Sequence, residues 1–159
     1  MDADVRALAF ATKRRSATVL VVDDSPEIRR FLTLALEIDH YNVETADSGE
    51  EAAERLRDGS NASIILLDLQ MPGMNGLETL RLLRQMRPNI KVIMCSAVDD
   101  PDTMQEAARL GAQAYLVKPI QHLYLSAAIE RCLQGVTVIS DCNLKAEVLA
   151  MVPASLRPN

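Results

Sequence analysis

Asp68 stands at the end of the apolar run Ile64-Ile65-Leu66-Leu67, and Asp23 and Asp24 end another, Val19-Leu20-Val21-Val22. In an open parallel sheet the carboxyl ends of the strands line the ligand crevice, so two acidic strand ends bring three carboxylates to one edge. Such a cluster repels itself unless a cation sits in it, and hard oxygen ligands suit Mg²⁺. Ser96 follows a fourth strand-like run, and Lys118 follows a fifth, immediately before Pro119. An acidic cluster, a hydroxyl and a lysine at one edge suit phosphoryl transfer. Asp68 would be the nucleophile, the metal would neutralise the oxygens, and Ser96 and Lys118 would bind the transferred group.

These residues need strands to carry them. Val19 to Val22 has no polar alternation, as expected of a strand covered on both faces. Ser25-Pro26-Glu27 then opens a helix with a capping hydroxyl, a proline in the first turn and an acid at the positive dipole end. Ile28, Phe31, Leu32, Ala35 and Leu36 form its expected buried stripe. Asn42 to Ala46 is a weaker second strand, and Ser48 and Glu51 have capping-box spacing before the next helix. Strands over Ile64 to Leu67, Lys91 to Cys95 and Ala114 to Val117 follow. Between and after them, helices are marked by Leu77, Leu80 and Leu83, by Met104, Ala107, Ala108 and Leu110 up to Gly111, and by Leu125, Ala128, Ile129, Cys132 and Leu133. Five strands alternating with five helices imply right-handed crossovers and an α/β doubly wound parallel sheet with helices on both faces.

At 159 residues the chain is long enough for one well-buried domain with extensions and short for two. A hydrophobic share of 48% with 25% charged residues is that of an ordinary globular protein. A net charge of −5 favours neither nucleic acid nor an anionic membrane, and Lys13-Arg14-Arg15 reads as a solvated arm. No apolar run approaches the roughly 18 residues of a spanning helix, and the apolar stretch from Ala7 to Ala11 is too short for a signal-peptide core. The reading is cytoplasmic. Cys95, Cys132 and Cys142 share no ligand spacing and read as structural, and His40 and His122 read as surface or turn residues.

From Thr18 to Leu133 the sequence resembles the receiver domain of two-component response regulators, of which the chemotaxis regulator is the single-domain example. The residues that carry the resemblance are Val21-Val22-Asp23-Asp24-Ser25, Leu67-Asp68-Leu69-Gln70-Met71-Pro72-Gly73-Met74-Asn75-Gly76, Ser96-Ala97, Gly111-Ala112 and Tyr115-Leu116-Val117-Lys118-Pro119. Each is a weak signal alone; together, in order and at strand ends, they form a strong one. The resemblance implies a flavodoxin-like fold with strand order 2-1-3-4-5. It divides the chain into an N-terminal arm (1–17), a receiver domain (18–134) and a C-terminal extension (135–159) that would dock, dimerise or begin a linker.

The resemblance also implies roles. Asp68 would take a phosphoryl group from a sensor histidine kinase or a histidine phosphotransfer protein. Asp23, Asp24, Asp68 and the Gln70 backbone carbonyl would hold Mg²⁺. Lys118 would pair with Asp68 and then with the phosphoryl oxygens, which Ser96 and the Ala97 amide would also meet. Tyr115 would turn inward to fill the space Ser96 vacates, and Lys118-Pro119 would be a cis peptide. Ser96 stands where threonine is often found, and Gln70 and Val98 occupy variable positions that tune acyl-phosphate lifetime. The readout surface would be the helix from Pro101, the fifth strand and the last helix.

Each residue also has an ordinary reading: Asp-Asp before a helix is often capping, Lys118 a surface lysine, Ser96 a loop hydroxyl, Tyr115 a half-buried strand aromatic. A phosphorylation-activated switch remains the leading function, with enzymatic activity confined to its own phosphorylation and dephosphorylation. No output motif follows Leu133, so stand-alone action on a downstream protein is expected, without direct nucleic-acid binding or membrane contact. A homodimer through the face after the fourth strand or through the extension is also compatible. The alternatives are the receiver part of a longer regulator, a constitutive docking module, and a Mg²⁺-dependent aspartyl-phosphate phosphatase. The last usually needs an acid two residues after the nucleophile, where this chain has Gln70.

Overall fold

The runs without polar alternation occupy the middle of one parallel sheet. The computed structural model describes residues 17–135 and 137. Strands β1 (Thr18–Val22), β2 (Asn42–Ala46), β3 (Ile64–Asp68), β4 (Lys91–Ser96) and β5 (Ala114–Val117) alternate with helices. The helices are α1 (Pro26–Ile38), α2 (Gly49–Arg57), α3 (Gly76–Met86), α4 (Pro101–Arg109) and α5 (His122–Leu133). The strand order is β2-β1-β3-β4-β5, and every neighbouring pair is parallel. This is the doubly wound arrangement that the alternation of elements predicts. The readings for the arm, Cys142 and the extension beyond Gly135 lie outside the described residues, Thr137 apart.

Register decides which side chains meet. Val22 lies opposite Leu67, so Asp23 and Asp68, one residue further on each strand, leave the sheet at the same level. Asp68 lies opposite Cys95 and Ser96 opposite Val117, so Ser96 and Lys118 each emerge one step further along. The functional residues thus climb a staircase across three strand boundaries.

Successive strand residues face opposite sides of the sheet. Val19, Val21, Ile64, Leu66, Ile93, Cys95, Ala114 and Leu116 pack against Leu32, Ala35 and Leu36 of α1 and Leu125, Ala128 and Ile129 of α5. Leu20, Val22, Ile65, Leu67, Val92, Met94 and Tyr115 pack against α2, α3 and α4, through Ala52, Ala53, Leu80, Leu83 and Ala107 among others. By this parity Asp23, Asp68 and Lys118 belong to the α1/α5 side, whereas Ser96 and Tyr115 belong to the other.

Caps hold the helix starts near the site. The Ser25 hydroxyl accepts from the Ile28 amide, and Asn75 and Glu78 form a reciprocal capping box at α3 that the reading of the sequence did not single out. At α2 the Ser48 hydroxyl accepts from Glu51 N as predicted, but the Glu51 carboxylate reaches back to Asp47 N instead of the cap residue. Phe31 departs from its predicted place in the buried stripe and is 48% exposed, because α1 buries only Leu32, Ala35 and Leu36 fully. Leu110 lies past the end of α4, as its cap, with Gly111 at φ +96° completing the turn. Cys95 and Cys132 are buried, and burial pushes the Cys132 thiol up to about 11, as befits a packing residue.

Gly76 starts α3 against the backbone of the Asp68 loop, its amide donating to Leu69 O at 2.9 Å. A Cβ there would press on the Asp68 carbonyl oxygen and come within 2.6 Å of Leu69 Cα, both of them backbone atoms that cannot swing aside. Gly76→Ala is therefore expected to destabilise the domain by about 1–3 kcal/mol, despite the better helix propensity of alanine. Thermal unfolding measures this, and an unchanged or raised Tm would show that the loop yields freely.

Candidate functional site

At the carboxyl edge of the sheet, Asp23 and Asp68 are nearly closed off from solvent, at 2% and 5% exposure, while Asp24 is exposed. One ligand oxygen from each of the three carboxylates lies within 4.8 Å of the others. Lys118 Nζ donates to Asp23 Oδ2 at 2.8 Å and stands 3.3 Å from Asp68 Oδ1. The Ser25 amide donates to Asp23 Oδ1 at 2.9 Å, and the Gln70 amide donates to Asp68 Oδ1 at 3.3 Å. Asp23 is therefore held at both carboxylate oxygens and Asp68 at one.

The electrostatics follow from crowding. Burial and then the neighbouring Asp23 raise the Asp68 pKa, and Lys118 offsets this only in part. For Lys118 burial acts to lower the pKa, but the bond to Asp23 and the charge of Asp68 outweigh it and hold the value above its ordinary range. Three ionised carboxylates facing one ammonium leave two negative charges, which one divalent cation balances. The donors are all hard oxygens, and one of the three acids is open to solvent as an entry side. An all-oxygen donor set of this charge fits a hard cation such as Mg²⁺, with one of the acids able to reach it through water.

The second face of the sheet supplies a different group. Ser96 is fully buried, and its Oγ accepts from the Val98 amide at 3.0 Å. The Tyr115 ring is buried, and its hydroxyl donates to the Val98 carbonyl at 2.8 Å. Both hydrogen bonds of the Val98 backbone thus run to side chains of the predicted site. Ala97 and Gln70 are exposed at the rim and Val98 is half-buried. The Lys118-Pro119 peptide is cis.

Three features escaped the reading of the sequence. Arg29 Nη1 donates to the Asp23 carbonyl at 2.7 Å, tying the first turn of α1 to the end of β1. A cation so near the positive end of a helix is unfavourable for the helix and was the available signal. His122, predicted as a surface or turn residue, keeps 42% of its side chain exposed but is not alone, its Nε2 lying 3.0 Å from Asp39 Oδ2, which also accepts from the Ser126 hydroxyl. This cluster clasps the end of α1 to the first turn of α5, a pairing across 83 residues that local spacing does not reveal. Finally, a mainly apolar groove of about 480 Å³ lies between α1 and the loop after β5, lined by Ile28, Phe31, Leu32, Pro119 and Ile120, with Lys118 at its edge.

Comparison with known proteins places this geometry among relatives. Residues 19–130 match the response regulator receiver domain. The nitrate/nitrite response regulator protein NarL of Escherichia coli is 32% identical over 150 residues, an alignment that covers 93% of this chain and 67% of NarL. Among solved structures, the chemotaxis protein CheY4 of Vibrio cholerae is similar with a TM-score of 0.66 and 32% identity, over 76% of this chain and 98% of that one. A CheX–CheY–BeF3–Mg²⁺ complex from Borrelia burgdorferi is similar with a TM-score of 0.71 and 29% identity, over 74% of this chain and 89% of that one.

Because the Asp68 pKa is raised in the folded state, the native protein binds the extra proton and stability falls as pH rises through the shifted value. At neutral pH, without divalent cations, the ionised carboxylate thus costs stability. Asp68→Asn is expected to raise the neutral-pH Tm by a few degrees, with the gain shrinking at and below the ordinary carboxylate range near pH ~4. Thermal melts across pH in chelating buffer measure this, and a lower neutral-pH Tm for the variant would contradict it.

Proposed function

The chain belongs to the response regulator receiver domain family of two-component systems, and from that membership we propose a phosphorylation-activated switch whose acceptor is Asp68. The observation that carries the reading is the convergence of Asp23, Asp24, Asp68 and Lys118 at one sheet edge. In the transfer, an Asp68 carboxylate oxygen attacks phosphorus and the P–N bond to the donor phosphohistidine breaks. The bonding pair stays with the departing imidazole, which takes up a proton. Lys118 and the Ala97 amide meet the phosphoryl oxygens, and Ser96 brings its hydroxyl to them from the opposite face of the sheet. Asp23, Asp24, Asp68 and the Gln70 carbonyl would hold Mg²⁺, which supplies charge neutralisation for the transferred group.

Phosphorylation adds about −1.5 to −2 charges and strong acceptors at an edge already crowded with carboxylates. Closure of Ser96 and Lys118 on those acceptors would release Ser96 Oγ from the Val98 amide and alter how the Val98 loop sits on Tyr115. The loop leads directly into α4, so α4, β5 and α5 form the readout surface. Gln70 and Val98 stand beside the acyl phosphate, where they would set its lifetime. The phosphohistidine donor would seat on the groove between α1 and the loop after β5, because that groove opens next to Lys118 and exposes Phe31.

Residues 18–134 are assigned to the receiver, with 1–17 as an arm and 135–159 as a docking, dimerising or linking extension. Action on a downstream protein is the first reading of the output. The receiver part of a longer regulator is the second, favoured by the chain's spanning about two thirds of NarL. No helix among the described residues is long and apolar enough to cross a membrane.

Incubation with Mg²⁺ and acetyl phosphate is expected to add one phosphoryl group by intact mass, labile to hydroxylamine as an acyl phosphate is. Asp68→Asn should abolish the addition. An unchanged mass for the wild-type protein, or a phosphoryl group retained by the variant, would overturn the assignment.

A further inference from the structure

We infer that Arg29 is a positioning residue for the metal site and acts through Asp24; the inference rests on the Mg²⁺ reading proposed above. Asp23 and Asp68 have side-chain oxygens held by Lys118 and by backbone amides. Asp24 does not: among the described residues its carboxylate has no hydrogen bond or ion pair, and it is exposed. Its aim into the cluster therefore depends on the backbone that carries it.

That backbone is gripped by Arg29. The carbonyl of Asp23 and the amide of Asp24 share one rigid peptide plane, so fixing the carbonyl fixes where the Asp24 Cα sits, the point from which its side chain starts. Arg29 Nη1 donates to that carbonyl at 2.7 Å. On the other side, the Asp23 amide donates to Ala46 O at 3.2 Å, which holds the strand end on the sheet. The bond to the Asp23 carbonyl also explains a cation in the first turn of α1, where the helix dipole opposes it. Arg29 is half-buried and, among the described residues, makes no ion pair with a carboxylate of the cluster, so its effect on the site runs through the Asp23–Asp24 peptide.

The sign of the effect separates this role from a field effect. A nearby positive charge alone repels a divalent cation, so deleting it would tighten Mg²⁺ binding. Loss of a positioning bond weakens binding instead, on the order of tenfold for groups that orient metal ligands. Calorimetric Mg²⁺ titration of the whole chain tests this with Arg29→Met, which keeps most of the aliphatic stem, and Arg29→Lys, which keeps the charge and a donor. Arg29→Met is expected to bind Mg²⁺ roughly tenfold more weakly with an unchanged circular dichroism spectrum, and Arg29→Lys to recover part of the loss. Phosphorylation of Arg29→Met by acetyl phosphate is expected to need more Mg²⁺ while reaching the wild-type maximal rate.

In an Asp24→Asn background, Arg29→Met is expected to add little further loss. Unchanged or tighter Mg²⁺ binding by Arg29→Met, or a full additional loss in the Asp24→Asn background, would overturn the positioning role while leaving the metal site intact. Failure of the wild-type protein to bind Mg²⁺ would overturn both this inference and the reading beneath it.

Discussion

Lys118 holds the site together electrostatically. Its ammonium stands 2.8 Å from Asp23 and 3.3 Å from Asp68, two carboxylates on neighbouring strand ends and both almost sealed from water. Without it, two ionised acids would share a small, poorly solvated space, an arrangement that costs several kcal/mol per ion. With it, the pair is tolerable but still short of cation, since Asp24 adds a third carboxylate to the same edge. The residual negative charge is the property on which the proposed metal affinity, acceptor chemistry and response to an added phosphate would all depend.

The sheet makes this contact without any loop having to search for it. Parallel pairing in register sets Asp23 and Asp68 at one level, and side-chain alternation sends Lys118 to the same face. Ser96 and Tyr115 leave on the opposite face, where both are tied to the backbone of Val98. The sheet edge therefore has a charged side toward α1 and α5 and a hydrogen-bonded side toward α4. A switch that reads charge on one side and moves a loop on the other needs such a division, and the loop concerned is only a few residues from the start of α4 at Pro101.

Most of this was readable because it depends on local pattern. Runs such as Ile64–Leu67 announce buried strands, and chemistry in an open parallel sheet gathers where those runs end, so Asp23, Asp24, Asp68, Ser96 and Lys118 could be named without coordinates. What escaped was set by contacts between elements. Periodicity shows which face of α1 is apolar but not how wide a strip the sheet covers, so Phe31 was placed inside and lies half outside. His122 looked solitary because its partner Asp39 sits on another helix. The position of Arg29 at the positive end of α1 marks it as unusual, but its target is a backbone carbonyl, which is present at every position and carries no mark in a sequence. Parity along the strands separates the Lys118 face from the Ser96 face and needs only the strand boundaries.

The three acids are not equivalent, and their inequality is physically sensible. Fixing all three carboxylates in a dry pocket would multiply the repulsion that a single ammonium must offset. Leaving Asp24 in water keeps its charge screened, while Asp23 and Asp68 hold the geometry. The cost of that solution is orientation: a solvated side chain on a loop has many rotamers, and ordering it opposes binding through lost conformational entropy. Clamping the peptide before Asp24, rather than its carboxylate, fixes where that side chain starts without burying the charge. Two held acids, one solvated acid and a guanidinium on the backbone would together suit a site that admits and releases a cation while keeping Asp68 in place.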